Sequence, residues 1–387
     1  MSLTSSLSRL KQIGMTLSLI SLLSACSVFT GDDGRNDPAK LTEYTAGLSA
    51  KMGWKASIGS IKDGYGFAPA VVRDHVYAAA ADGSVGKFDL STGATVWKSS
   101  VDKKLSAGAG SDGVVTAVVA TDGTVIALDD SGKVKWSTKA SSDVQIPPVV
   151  GFGVVIVRSG DYRIQAFNAE TGDRIWSVQR PGPSLALRAP ARMILIEGLV
   201  LSGIPGGKLI ALNALSGDVQ WEGLVASPKG STDLERVNDV VGAPTLIGPL
   251  LCAVAHQGRI ICFDIPQGGR PVWNHTFSSN VGMAVDNKFA YAPNTQDVIS
   301  AFALQDGKVV WKQDALRNRK VTAPAALGSS IAVGDYDGFV HFMSSEDGRL
   351  LARISVGGGA IRAPLIATPQ GVLVQTGDGS LIMLVTN

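Results

Sequence analysis

The sequence predicts an all-β fold, an eight-bladed β-propeller with four antiparallel strands per blade, and three observations carry that expectation. Seven tryptophans (Trp54, Trp97, Trp136, Trp176, Trp221, Trp273 and Trp311) recur at nearly even spacing. Six of them stand four residues after a glycine in a Gly-x-x-x-Trp unit. Short apolar runs separated by Asp-Gly, Ser-Gly and Thr-Gly turns fill the intervals. A period of about forty residues built from short β-runs is the signature of a propeller, one small sheet per repeat around a central axis.

The chain begins differently. Arg9 and Lys11 precede an apolar run from Ile13 to Leu23 and then small residues, the pattern of a secretory signal peptide over residues 1–25. The run is too short to span a bilayer stably, and no later stretch of about twenty apolar residues follows. Leu23-Ser24-Ala25-Cys26 resembles the bacterial lipobox, in which cleavage leaves the cysteine as a lipidated N-terminus. By that resemblance Cys26 carries the lipid, and Ser27 in place of an aspartate implies sorting to the outer membrane. Several acyl chains, at about 0.8 kcal/mol per buried CH₂, anchor durably without a spanning helix. Residues 26–49 include Gly31-Asp32-Asp33-Gly34-Arg35-Asn36-Asp37-Pro38, too poor in apolar side chains to fold alone, and read as a flexible tether.

Charge narrows the function. The formal net charge is +2, and removing the leader takes away its two basic residues, leaving acidic and basic side chains in balance. Nucleic-acid binding needs a clustered cationic patch, which this chain lacks.

The repeats occupy residues 50–387. Asp82-Gly83, Asp122-Gly123, Asp337-Gly338 and Asp378-Gly379 mark a first tight turn in each blade; Thr92-Gly93, Ser131-Gly132, Thr171-Gly172 and Ser216-Gly217 mark a second, leading into the tryptophan strand. Ala-Pro pairs such as Ala68-Pro69, Ala243-Pro244, Ala323-Pro324 and Ala363-Pro364 introduce the first strand, where proline loses no ladder hydrogen bond. Past Trp311 the next tryptophan slot holds Ala352, and the final repeat ends one strand short. Trp54 stands in a strand with no repeat before it, so pairing that strand with residues 361–386 completes the eighth blade and removes an open edge. The tryptophans themselves read as blade-to-blade packing, because a small twisted sheet cannot bury both faces alone.

Several motifs fail on context. Gly108-Ala109-Gly110-Ser111-Asp112-Gly113 matches a dinucleotide fingerprint, yet a β-run rather than a helix follows it. Gly203 to Leu209 is one residue short of a phosphate loop and lacks its Ser or Thr. The four histidines are widely separated, with no helical zinc spacing. Cys252 and Cys262 flank the His256-Gln257-Gly258 turn symmetrically and can face each other across a hairpin; a bond and two free thiols both fit.

Two tryptophan intervals are longer than the rest, Trp176 to Trp221 and Trp221 to Trp273. Insertions in repeat proteins map to loops, often on the binding face, and sequential ones emerge side by side. The first carries Leu185, Leu187 and Arg188 among prolines and glycines, a combination that reads either as an interface anchor or as the innermost strand of the next blade. The second runs from Glu222 to Val241 with Asp233, Glu235, Arg236 and Asp239, the charged rim expected beside an apolar anchor.

With lipobox, propeller and Gly-x-x-x-Trp repeats together, the whole chain resembles the BamB family, propeller lipoproteins of the outer-membrane β-barrel assembly machinery. Ser184-Leu185-Ala186-Leu187-Arg188 and Ser231-Thr232-Asp233-Leu234-Glu235-Arg236-Val237-Asn238-Asp239-Val240 carry the most specific likeness. The resemblance implies that Leu185, Leu187, Arg188 and Asp239 contact the periplasmic domains of BamA, the barrel-forming subunit, and through it the other subunits of the complex, in a scaffold without catalytic residues or cofactor. The family can carry a second aspartate two positions beyond the first, where this chain has Val241. The repeats are also similar to those of quinoprotein dehydrogenases, which hold pyrroloquinoline quinone on the axis beside an adjacent cysteine pair. Here no two cysteines are adjacent.

Overall fold

The strand pattern closes into a ring. The computed structural model describes residues 36–60, 66–180, 182, 191–228 and 230–386, and within the unit Ala39–Asn387 eight sheets of four antiparallel strands follow one another around an axis. Blade 1 shows the plan: Ala70–Val72 is innermost, then His75–Ala79, Ser84–Asp89 and the outermost Thr95–Ser100. Blades 2 to 7 repeat it over residues 110–139, 149–179, 194–224, 240–277, 284–313 and 325–355. Blade 8 takes three strands from the C-terminal end, Ile366–Thr368, Gly371–Gln375 and Ser380–Thr386, and its fourth, Ala50–Ser57, from the N-terminal side. Lys55 stands opposite Ile382 and Ser57 opposite Ser380, so the ring closes by the strand exchange that Trp54 predicts.

Four antiparallel strands impose a two-faced body. Loops between blades and turns joining second to third strands lie on one face, while the other two turns of each blade lie on the opposite face. The tryptophans work at that opposite face. Nε1 of Trp54, Trp136, Trp176, Trp273 and Trp311 donates to the carbonyls of Leu90, Ala169, Ala214, Leu304 and Ser345, each in the turn before the fourth strand of the following blade. The same turn supplies the glycine on which the ring lies. A methyl group at Gly93, Gly172, Gly217, Gly307 or Gly348 would come 2.5 to 2.8 Å from the preceding blade's indole. Each Gly-x-x-x-Trp unit thus joins two jobs, the glycine receiving one tryptophan and the unit's own tryptophan reaching onward.

Turn length decides whether this bond forms. The turn Asp129-Asp130-Ser131-Gly132 is one residue shorter than Asp89 to Gly93, and Nε1 of Trp97, which faces it, is buried without a partner. Ala352 has a different cause. Opposite Trp136, Trp176, Trp221 and Trp311 stand Ala127, Ala166, Ala211 and Ala301, whereas Ala352 faces Phe342, so relative to those four blades the large and small members of the cross-strand pair have changed places. Blade 8 also has no turn joining its third strand to its fourth, so an indole from blade 7 would find neither glycine nor carbonyl.

The core lies between blades, in clusters shared by neighbouring sheets, with Phe88, Phe167, Phe263, Phe302 and Phe342 fully buried on third strands. The glycines of the false dinucleotide motif serve this packing, since a methyl group on Gly110 would strike the carbonyl of Pro148 at the start of blade 3. Pro244 departs from the expected strand start: it lies inside Val240–Ile247, where the register shifts between Val241 and Thr245 and no ladder bond is lost.

Candidate docking surface

Both long excursions fall between blades, and their described ends lie on the same face. The first follows the outermost strand of blade 3, Arg174–Gln179, and ends before Ile194–Ile196; the second lies between Val219–Leu224 and Val240–Ile247. Their ends are tied together. Ala191 forms a parallel bridge with Gly242, and the Arg192 N–H donates to the Gly242 carbonyl at 2.9 Å. The innermost strand of blade 4 that is described is Ile194–Ile196; Leu185, Leu187 and Arg188 precede it in the sequence. These three and Cys26 lie outside the described residues.

Asp239 is described, and it is no rim charge. Its side chain is 5% exposed, and its Oδ1 accepts the Gly206 N–H at 3.3 Å from the second-to-third-strand turn of blade 4. Its own carbonyl accepts the His256 N–H at 2.8 Å from the corresponding turn of blade 5. One residue is therefore fixed by two blades. The would-be phosphate loop has found its use here, since Gly206 and Gly207 take φ of 83° and 75° and turn the Gly206 amide toward the aspartate. Blade 3 contributes Arg158, whose guanidinium donates to the Gly203 carbonyl and, at 3.3 Å, to Ser202 Oγ. Burial pushes Arg158 down to about 10, with the Asp239 charge pulling it back, so it remains a cation at neutral pH.

The rest of the second loop is built around one turn. The Thr232 hydroxyl accepts the Glu235 N–H at 3.3 Å while Glu235 Oε2 accepts the N–H groups of Ser231 and Thr232 at 2.8 and 3.0 Å, a reciprocal capping box. Those backbone bonds, Thr232 first, hold the Glu235 carboxyl below its usual range. Gln257 of blade 5 supports the turn from beneath, its side-chain nitrogen donating to the carbonyls of Glu235 and Val237. The turn presents Leu234, 72% exposed, outward. Next to Asp239, Asn238 is buried with neither atom of its amide head paired. A buried unpaired amide costs about 1–3 kcal/mol, so it marks a place where something besides stability is served.

Sequence reasoning found the loop and Asp239 but passed over Leu234, Arg158 and Asn238. The Thr-x-x-Glu spacing was a usable signal for the turn that lifts Leu234; nothing in the sequence signalled Arg158, which comes from a different repeat. Val241, in the slot where the family can place a second aspartate, is buried in the innermost strand of blade 5. Cys252 and Cys262 stand directly opposite one another on the second and third strands of that blade, with their sulfurs joined. Among the described residues no group of three or more His, Cys, Asp and Glu converges to hold a metal ion.

The fold defines a class: an eight-bladed propeller in which the ends of the two longest interblade segments meet on one face. The family described as outer membrane protein assembly factor BamB matches residues 81–313 and 295–386. The factor of that name from Bordetella pertussis is 63% identical over 365 residues, covering 94% of each chain. That of Burkholderia pseudomallei is 42% identical over 362 residues, 93% of this chain and 94% of the relative. Among solved structures, BamB from Moraxella catarrhalis superposes with a TM-score of 0.77 at 25% identity, covering 86% of this chain and 99% of the other. Quinohemoprotein alcohol dehydrogenase from Comamonas testosteroni reaches 0.63 at 14% identity over 87% and 76% of the chains, a likeness of fold alone. The chain belongs to the BamB family of outer-membrane protein assembly factors.

Proposed function

We propose that this protein is a non-catalytic scaffold, held to the outer membrane by lipid on Cys26 and facing the periplasm, that docks on the periplasmic domains of BamA and assists assembly of β-barrel proteins. The observation that carries this reading is the fixing of Asp239 between blades 4 and 5 at the joined bases of the two longest loops. A carboxylate held in one geometry has already lost the freedom that a partner would otherwise have to remove. Leu185, Leu187 and Arg188 supply, in this reading, apolar anchors and a cation from the neighbouring loop, while Asp239 orients the contact. Truncating a central anchor commonly costs over about 2 kcal/mol of binding, against little for a rim charge.

The test is affinity purification of the tagged full chain from membranes. BamA is expected to co-purify with the native chain and to be depleted with Leu187→Ala and Arg188→Ala. Undiminished BamA with both variants, each folded, would reject this surface.

A further inference from the structure

The eighth tryptophan slot leads to a feature that the repeats do not explain. Before entering blade 8, residues 39–48 run the length of the outer edge of blade 7, from the face of the interblade loops to the opposite face. The Ala39 N–H donates to the Arg317 carbonyl at 2.9 Å, and the Gly47 N–H to the Leu351 carbonyl at 3.0 Å. Between them, Arg353 on the outermost strand of blade 7 donates to the Thr42 carbonyl at 2.9 Å and lies over the Tyr44 ring, 5.1 Å from its centre. Leu41 packs on the cluster between blades 6 and 7, and Leu48 on the one between blades 7 and 8.

The first residue of this segment is gripped from inside. Arg319, 3% exposed, donates to the Ala39 carbonyl at 3.0 Å. Its Nε donates to Asp335 at 2.9 Å and its Nη2 to Asp337 at 2.7 Å. Asp335 is fully buried and also binds His341 Nε2 at 2.9 Å and the N–H groups of Asp337 and Phe339, both at 3.0 Å. A guanidinium so fully engaged is a rigid fork, and the Ala39 carbonyl completes it.

We infer that residues 39–48 form a fixed arm, latched by Arg319 and Arg353, which covers the edge of blade 7 where the tryptophan tie is missing and sets the point at which the N-terminal segment leaves the body. That point lies beside the loop joining blades 6 and 7, on the face that carries Asp239 and two blades further round the ring.

Trypsin tests the latch without reference to any partner. Lys40 is exposed, but cutting after it requires the arm to leave blade 7. In the full-length chain, cleavage after Lys40, followed by mass spectrometry, is expected to be slow and to accelerate at least tenfold in Arg319→Met, with the cleavage rate at sites in blades 2 and 3 unchanged. If Arg319→Met does not fold, Arg353→Gln, which leaves the buried cluster intact, is expected to accelerate the same cut about threefold. Cleavage of the native chain as fast as that of a free peptide of this sequence, or an unchanged rate in the folded variants, would overturn the inference.

Discussion

The junction between blades 2 and 3 and that between blades 4 and 5 are made from the same parts and put to different uses. At the first, the Trp136 indole lies on Gly172 and its N–H reaches the Ala169 carbonyl at 2.9 Å. The connecting residues 140–148 are short, and Gly123 and Ser142 close up against each other. At the second, the receiving turn runs from Asp264 to Gly269, one residue longer than Asn168 to Gly172, and Trp221 is only half-buried. It meets Phe263 edge-on at 5.1 Å, and the connecting residues 225–239 carry the capped turn, Leu234 and Asp239. Where the repeat is kept, the connecting residues serve cohesion; where it is relaxed, they form the longer segment proposed to dock.

The largest expected effect separates the two tryptophans. Trp136→Ala removes a buried ring together with its hydrogen bond and is expected to cost about 3–5 kcal/mol in urea unfolding. Trp221→Ala is expected to cost about half as much, because part of that ring already faces water. Equal losses would mean that the relaxed junction is as tightly tied as the regular one.

Blade 5 has a compensating link in Cys252–Cys262, which closes a short loop within the second hairpin. Loss of such a bridge is expected to cost about 2–3 kcal/mol. Alkylation under denaturing conditions should modify neither thiol before reduction and both after it, and full modification beforehand would remove this compensation from the account.

The smallest expected effect lies in the loop itself. Thr232→Ala breaks the capping box for about 1 kcal/mol of local stability, read as faster hydrogen exchange over residues 231–237 with blades 2 and 3 unchanged. Acid should act in the same direction. Glu235 has its carboxyl lowered in the folded turn, so its contribution is complete above the ordinary glutamate range and is lost as pH falls through the lowered value. Protection of residues 231–237 should therefore decline on acidification, and the decline should vanish in Glu235→Gln.

The ring was legible because its grammar repeats: glycine, turn and tryptophan recur at intervals that only a stack of like sheets explains, and Trp54 reveals how the stack closes. The docking face was legible as a breach of that grammar, which locates the loops and Asp239 but not their surroundings. Arg158, Gly206 and His256 come from three successive blades and meet near Asp239 only because turns on one face converge, a relation that spacing along the chain does not carry. Ala352 was visible as an omission, but its cause was not, since Phe342 opposite it and the arm over blade 7 are facts of register and packing.

The face bearing Asp239 is proposed to dock on BamA. Titration calorimetry of the full chain against the periplasmic domains of BamA, comparing native protein with Asp239→Asn and Leu187→Ala, tests it most directly. Each variant is expected to bind at least tenfold more weakly with the urea midpoint little changed; native affinity in both would place the docking surface elsewhere.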